Sequence, residues 1–181
     1  MKITENEVLG LKSKHQVILF CKQNLYSVQF YKQLIQFLKC KDTALQTKVS
    51  WLFSCLVKMD KKGIQKLFPM IVEQVYLNQT DSINRNLLSC IKHLEIEKKE
   101  AAYLFDICQK LVLSANTALA VKVNSLYVML DILSIYPDFY NEFEQILQIV
   151  EESEACSINA AIKNCRTKMI KNQKINIYKK A

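Results

Sequence analysis

The chain has 181 residues, half of them apolar, and a net charge of +8 at pH 7; so much apolar surface excludes a disordered polymer. Two glycines and two prolines are too few for the turns of a sheet protein, which leaves helices joined by short polar links. No apolar run reaches the roughly 20 residues that span a bilayer, and the opening MKITENE has no signal pattern, so the cytoplasm is the expected compartment.

In chain order, residues 1–12 read as a short lead-in. Lys14 to Asn24 reads as a capping helix around Val17, Ile18, Leu19 and Phe20. Four helix pairs follow, with first helices expected at 27–40, 64–78, 98–114 and 138–152. Second helices are expected at 43–59, 81–94, 117–135 and 155–171. In the first helices the columns Tyr31, Phe68, Phe105, then Leu34, Ile71, Cys108, then Leu38, Val75, Val112, Ile149 recur every 37 residues. They lie on one helical stripe, the face that must be buried. Val49, Leu52, Phe53 and Leu56 form the matching stripe of a second helix, repeated as Val123, Leu126, Tyr127 and Leu130. The second repeat offers Ile83, Leu87, Cys90, Ile91 and Leu94, one residue late.

Polar pairs precede the second helices: Asp42-Thr43, Gln79-Thr80, Asn116-Thr117 and Ser153-Glu154. Their 37-residue spacing reads as free of insertions, and each is suited to cap a helix start. Six positions after the first residue of each pair come Lys48, Arg85, Lys122 and, breaking the pattern, Asn159. Pro137 suits the opening of a helix, whereas Pro69 falls inside the second first-helix and belongs in its first turns or kinks it.

One two-helix unit cannot cover its own apolar face, so stacking must build the core. The polar loop followed by Val121-Lys122, with its recurrent basic residue, resembles the HEAT-like α-solenoid repeat, and residues 101–171 are similar to a family of small bacterial HEAT-like proteins of unassigned function. The resemblance implies an all-α, right-handed α-α superhelix of about four helix pairs behind an N-terminal capping helix. The expected organisation is one domain, with a cap at 1–26, repeats at 27–60, 64–97, 101–134 and 138–171, and a basic tail at 172–181.

Charge is unevenly placed. Residues 118–153 carry one cation against six carboxylates, whereas residues 154–181 carry seven cations against one. Lys163, Arg166, Lys168 and Lys171, with Lys174, Lys179 and Lys180 beyond them, make the last helix and tail basic. Either these cations and the column Lys48, Arg85, Lys122 contact a partner, or the column ties neighbouring repeats together and the tail is a solvated end. The structural role is the stronger expectation for the column. Phosphate contact needs several cations in register, and Arg85 and Arg166 are the only arginines.

Seven cysteines (Cys21, Cys40, Cys55, Cys90, Cys108, Cys156 and Cys165) are widely spread, with no Cys-x-x-Cys. They read as small buried hydrophobes rather than disulfides or metal ligands. His15 and His93 have no ligand partners at suitable spacing, and Gly10 and Gly63 build no phosphate loop. Some alkylpurine DNA glycosylases are similar HEAT-like solenoids. Trp51 and Asp131 are the nearest approach to their aromatic cleft and carboxylate, and a packing role suits Trp51 better. No nucleophile, base and orienting group assemble, so no enzyme, cofactor, metal or small-molecule substrate is expected. The expectation is a non-enzymatic scaffold holding a protein or peptide on the inner surface formed by its second helices; the alternative is a nucleic-acid binder related to DNA-repair solenoids. Candidate contact residues are Lys48, Arg85, Lys122, Lys163 and Arg166.

Overall fold

A computed structural model describes residues 2–77, 80–153 and 158–180, and side chains for all of these except 153 and 172–180. Gln79, Glu154 and Cys156 therefore lie outside the described residues, as do the side chains of Ser153, Lys174, Lys179 and Lys180. Every regular element described is helical. The chain divides into two compact units, Met1–Glu95 and Ile96–Ala181.

In the first unit, helix α1 (Glu5–Leu9) occupies the expected lead-in. Its cause is reciprocal capping: the Thr4 hydroxyl accepts from the Glu7 amide, and the Glu7 carboxylate accepts from the Thr4 amide. Ser13 and Gln16 repeat the device for α2 (Lys14–Asn24), whose limits are those expected. Buried Gln33 of α3 (Val28–Leu38) clasps the backbone of Ile3, accepting from its N–H and donating to its C=O, each at 3.0 Å. Asp42 then caps α4 (Thr43–Leu56), its Oδ1 accepting from the amides of Ala44 and Leu45 at 2.8 and 3.1 Å.

The helix expected at 64–78 is two helices, α5 (Lys61–Gln65) and α6 (Phe68–Leu77). Pro69 has no N–H to carry a continuous ladder across 66–67, and it sits in the first turn of α6, where no donor is needed. Asp60 opens α5, accepting from the Gly63 amide at 2.9 Å and from the Tyr31 hydroxyl at 2.7 Å. A Cβ on Gly63 would fall 2.2 Å from Asp60 Oδ2, so glycine is what lets the carboxylate fold over the helix start. Helix α7 (Asp81–Ile91) packs along α4.

The second unit holds α8 (Lys98–Leu113), α9 (Leu119–Ile132), α10 (Tyr140–Ser153) and α11 (Asn159–Lys180). Asn116 and Thr117 do not cap α9. The Thr117 amide closes a turn on the Ser114 carbonyl at 3.3 Å, and the helix starts two residues later behind Ala118, with no side-chain cap bond. A 3-10 turn, Pro137–Phe139, leads into α10. Phe139 stacks on Phe105 at 4.6 Å, and the Tyr136 hydroxyl donates to the Lys98 carbonyl at 3.1 Å. The backbone of α11 stays helical past residue 171, the expected end of the last repeat.

Burial sets the repeat register, and it departs from an insertion-free 37. In the first helices Tyr31, Phe68, Phe105 and Leu38, Val75, Val112 are all buried at 37-residue spacing. In the fourth copy, however, Ile149 is 51 % exposed and Val150 takes the core position. The added residue falls ahead of α10, where the 3-10 turn intervenes. In the second helices the buried positions Leu45, Ile83, Val121, then Val49, Leu87, Ser125, then Phe53, Ile91, Met129 recur every 38 residues. The one-residue slip of α7 is thus the true spacing, and Val123 and Tyr127, expected in the core, are only half-buried. The loop between the helices of a pair absorbs the difference. From the last core residue of the first helix to the first of the second, the step grows from Leu38–Leu45 to Val75–Ile83 to Val112–Val121. Loops take such insertions at little cost because no core contact depends on their length.

Candidate interaction surface

With that register, Lys48, Arg85 and Lys122 are not equivalent positions. Lys48 is half-buried; its ammonium donates to the Leu11 carbonyl and lies 5.5 Å from the centre of the Trp51 ring. Arg85 is exposed on α7. Lys122 is buried to 2 % exposure. Its counterparts 38 and 76 residues back are Asn84, also buried, and Gln46. Gln46 donates from Nε2 to the carbonyls of Leu38 and Cys40 at 3.0 and 2.9 Å, closing the end of α3. The column at this place is therefore one of side chains with N–H donors, and the Gln46 contacts answer helix-end carbonyls that lack partners within their own helix.

The last two candidates differ as well. Lys163 is exposed on α11. Arg166 is tied within the second unit to Glu144 at 2.9 Å and Glu151 at 2.7 Å, and these carboxylates hold its guanidinium firmly protonated. Nothing in its sequence neighbourhood marks those partners; they come from α10 through the fold.

The second helices carry a recurrent arrangement where successive copies meet. In the first unit half-buried Trp51 lies under Lys48, and Asn86 of α7 donates to Ser50 of α4 at 3.0 Å. In the second unit half-buried Tyr127 lies under Lys168 at 5.5 Å, and Asn164 of α11 donates to the Tyr127 hydroxyl at 3.4 Å. Spacings of 36 and 37 residues across these amide contacts show second helices of successive copies lying side by side. Near the ends of α4 and α7, burial first and then Lys58, Lys92 and Lys61 hold His93 below the usual imidazole range. Sequence reasoning passed over Lys58 and Lys92; the readable signal was that residues 43–59 and 82–94 contain no carboxylate.

The buried thiols are chemically quiet. Burial pushes Cys21, Cys108 and Cys165 up to about 12, and Cys90 higher still. Among the described residues no three His, Cys, Asp or Glu side chains group as a metal site would require. No described helix is long and apolar enough to cross a membrane.

Helix pairs whose second helices lie side by side within each unit, each with a half-buried aromatic, define an α-helical repeat protein. A profile of the HEAT repeat domain matches residues 5–172, and the chain belongs to that family, an α-solenoid class that typically serves as a scaffold for protein interaction. No curated protein and no solved structure shows significant similarity to the chain.

Proposed function

We propose that this chain is a non-enzymatic interaction scaffold that holds a protein or peptide on the solvent-facing side of the second helices of each unit. The supporting observation is the pair Trp51 and Tyr127, each half-buried, each beneath a lysine, one in each unit. Aromatic side chains anchored at the base but open at one face give large contact area for little lost freedom, which is why they dominate interface energetics. Of the five candidate contact residues, Arg85 and Lys163 are the ones this reading retains. Lys48, Lys122 and Arg166 hold the fold together in it. Phosphate binding by the cation column draws little support, because Lys48 is engaged by Leu11 and Lys122 is buried. The six described cysteines are free, as suits a reducing compartment, and the cytoplasm is the location this reading assumes.

Photo-crosslinking tests it. A benzophenone amino acid replaces Ser89 or Asn164 on second helices, and Gln29 or Asp106 on first helices, in cells of the source organism. Crosslinked polypeptide at Ser89 and Asn164 with none at Gln29 and Asp106 is expected. Equal yields from both faces, or crosslinks to nucleic acid alone, would reject the reading.

A further inference from the structure

A cleft of about 500 Å³ opens at the start of the first unit, lined by Ile3, Glu7, Phe20, Gln23 and Asn24. Its walls are held from behind. Gln33 clasps the Ile3 backbone, and the half-buried Phe20 ring meets buried Phe30 edge-on at 5.9 Å. Glu7 is the one charged side chain among the described lining residues. It takes the Thr4 amide at 2.7 Å and the Thr4 hydroxyl at 2.9 Å, both on Oε2, so the helix cap does not use Oε1. Those bonds, the amide's first, hold the carboxyl below its usual range, and no described lysine pairs with it. Asn24 donates from Nδ2 to the Phe20 carbonyl at 2.9 Å, which leaves Oδ1 as its acceptor.

From Asn24 the chain enters a strained turn. Asn24–Ser27 is of type II: Leu25 has φ −59° and ψ 141°, Tyr26 has φ 66°, and the Ser27 amide donates to the Asn24 carbonyl at 3.3 Å. The third position of such a turn suits glycine or asparagine, and a tyrosine is strained there. Glycine would make the same turn; what tyrosine adds is its ring. Tyr26 is 71 % exposed, and Val28, two residues on, 68 %. Backbone strain retained at an exposed aromatic beside a cleft points to recognition.

We infer that the cleft takes an arginine side chain of a partner polypeptide, its guanidinium on Glu7 Oε1 and Asn24 Oδ1, its stem across Ile3 and Phe20, and its neighbours against Tyr26. Arginine fits better than lysine, because two acceptors and an aromatic wall match a planar fork of N–H donors. The net charge of +8 repels a basic segment, so diffuse attraction does not account for such binding. The site lies apart from the second helices and stands or falls independently of the scaffold reading.

The test titrates the isotope-labelled full chain by NMR with three peptides of about ten residues, rich in serine and leucine. One bears a single arginine, and the others carry lysine or citrulline, the neutral isostere, in its place. The arginine peptide should bind about 10-fold tighter than the citrulline peptide and about 3-fold tighter than the lysine peptide. The largest shift changes should fall at Ile3, Glu7 and residues 20–28. Glu7→Gln keeps the cap, since Gln16 serves the same box at Ser13, and should make the arginine and citrulline peptides equal. Glu5→Gln, the same charge change outside the lining, should cost less than about 2-fold. Tyr26→Gly should weaken binding about 3-fold while its thermal midpoint holds or rises, because the strain leaves with the ring. Equal binding of arginine and citrulline peptides by the native chain, or no binding at millimolar peptide, would overturn the inference. So would equal losses from Glu5→Gln and Glu7→Gln, shifts centred elsewhere, or unchanged affinity in Tyr26→Gly. Equal or tighter binding of the lysine peptide would overturn the choice of arginine.

Discussion

Lys122 and Arg85 occupy the same place in a sequence motif and opposite environments in the structure, one at 2 % exposure and the other open to water. A buried ammonium is tolerated where the fold supplies acceptors, and its removal costs far more than loss of a surface cation. The thiols show the same dependence on surroundings and carry a pH signature. An ordinary cysteine titrates near 9.0, whereas burial raises Cys21, Cys108 and Cys165 to about 12 in the folded chain. Between those values the unfolded chain has released these protons and the folded chain has not, so the slope of unfolding free energy with pH is negative. Their contribution is fully present below about pH 9 and is lost as pH rises toward about 12. Urea midpoints across that range should fall steadily in the native sequence. A variant with Ala at Cys21, Cys108 and Cys165 should show a shallower decline from its own lower starting point; identical slopes would show that these thiols do not report burial.

At the scale of elements, helix starts differ in what holds them. Asp42 accepts from two amides, whereas Thr80 stands at the N-cap of α7 without a side-chain cap bond and Ala118 has none to offer. Asp42→Ala should therefore destabilise by about 1 kcal/mol and Thr80→Ala by a few tenths; equal costs in chemical unfolding would mean the cap geometry is not what stabilises these starts. Helix existence and pairing were legible in the sequence because apolar periodicity depends on side chains that the core must bury. The limits of α2 and the first-helix columns through Val112 follow from that pattern alone. The register of the second helices was not legible, since a residue added to a polar loop leaves both loop composition and motif looking unchanged. Val123, Tyr127 and Ile149 were consequently assigned to the core, and Asn116-Thr117 to a cap. The capping boxes at Thr4–Glu7 and Ser13–Gln16 were readable as Thr-x-x-Glu and Ser-x-x-Gln, and only the shortness of α1 hid it. Of the candidate surface, Trp51 and Arg85 could be picked out by type and spacing. The ties of Lys48 to Leu11 and of Arg166 to Glu144 and Glu151 could not, because their partners are distant in sequence.

For the whole molecule, the net charge of +8 says less than its distribution. Cations recurring at fixed spacing suggest a continuous binding edge; burial register instead divides them into those enclosed by the fold and those on its surface. The scaffold reading depends on that division, since it assigns recognition to the open side of the second helices and leaves Lys122 to the interior. Residue-resolved acetylation of the native chain, read by mass spectrometry at short exposure, measures it for every lysine at once. Lys58, Lys163 and Lys171 should modify rapidly, and Lys122 slower by about 10-fold or more, with the difference vanishing in denaturant. Acetylation of Lys122 in the native chain at the rate of Lys163 would contradict the division.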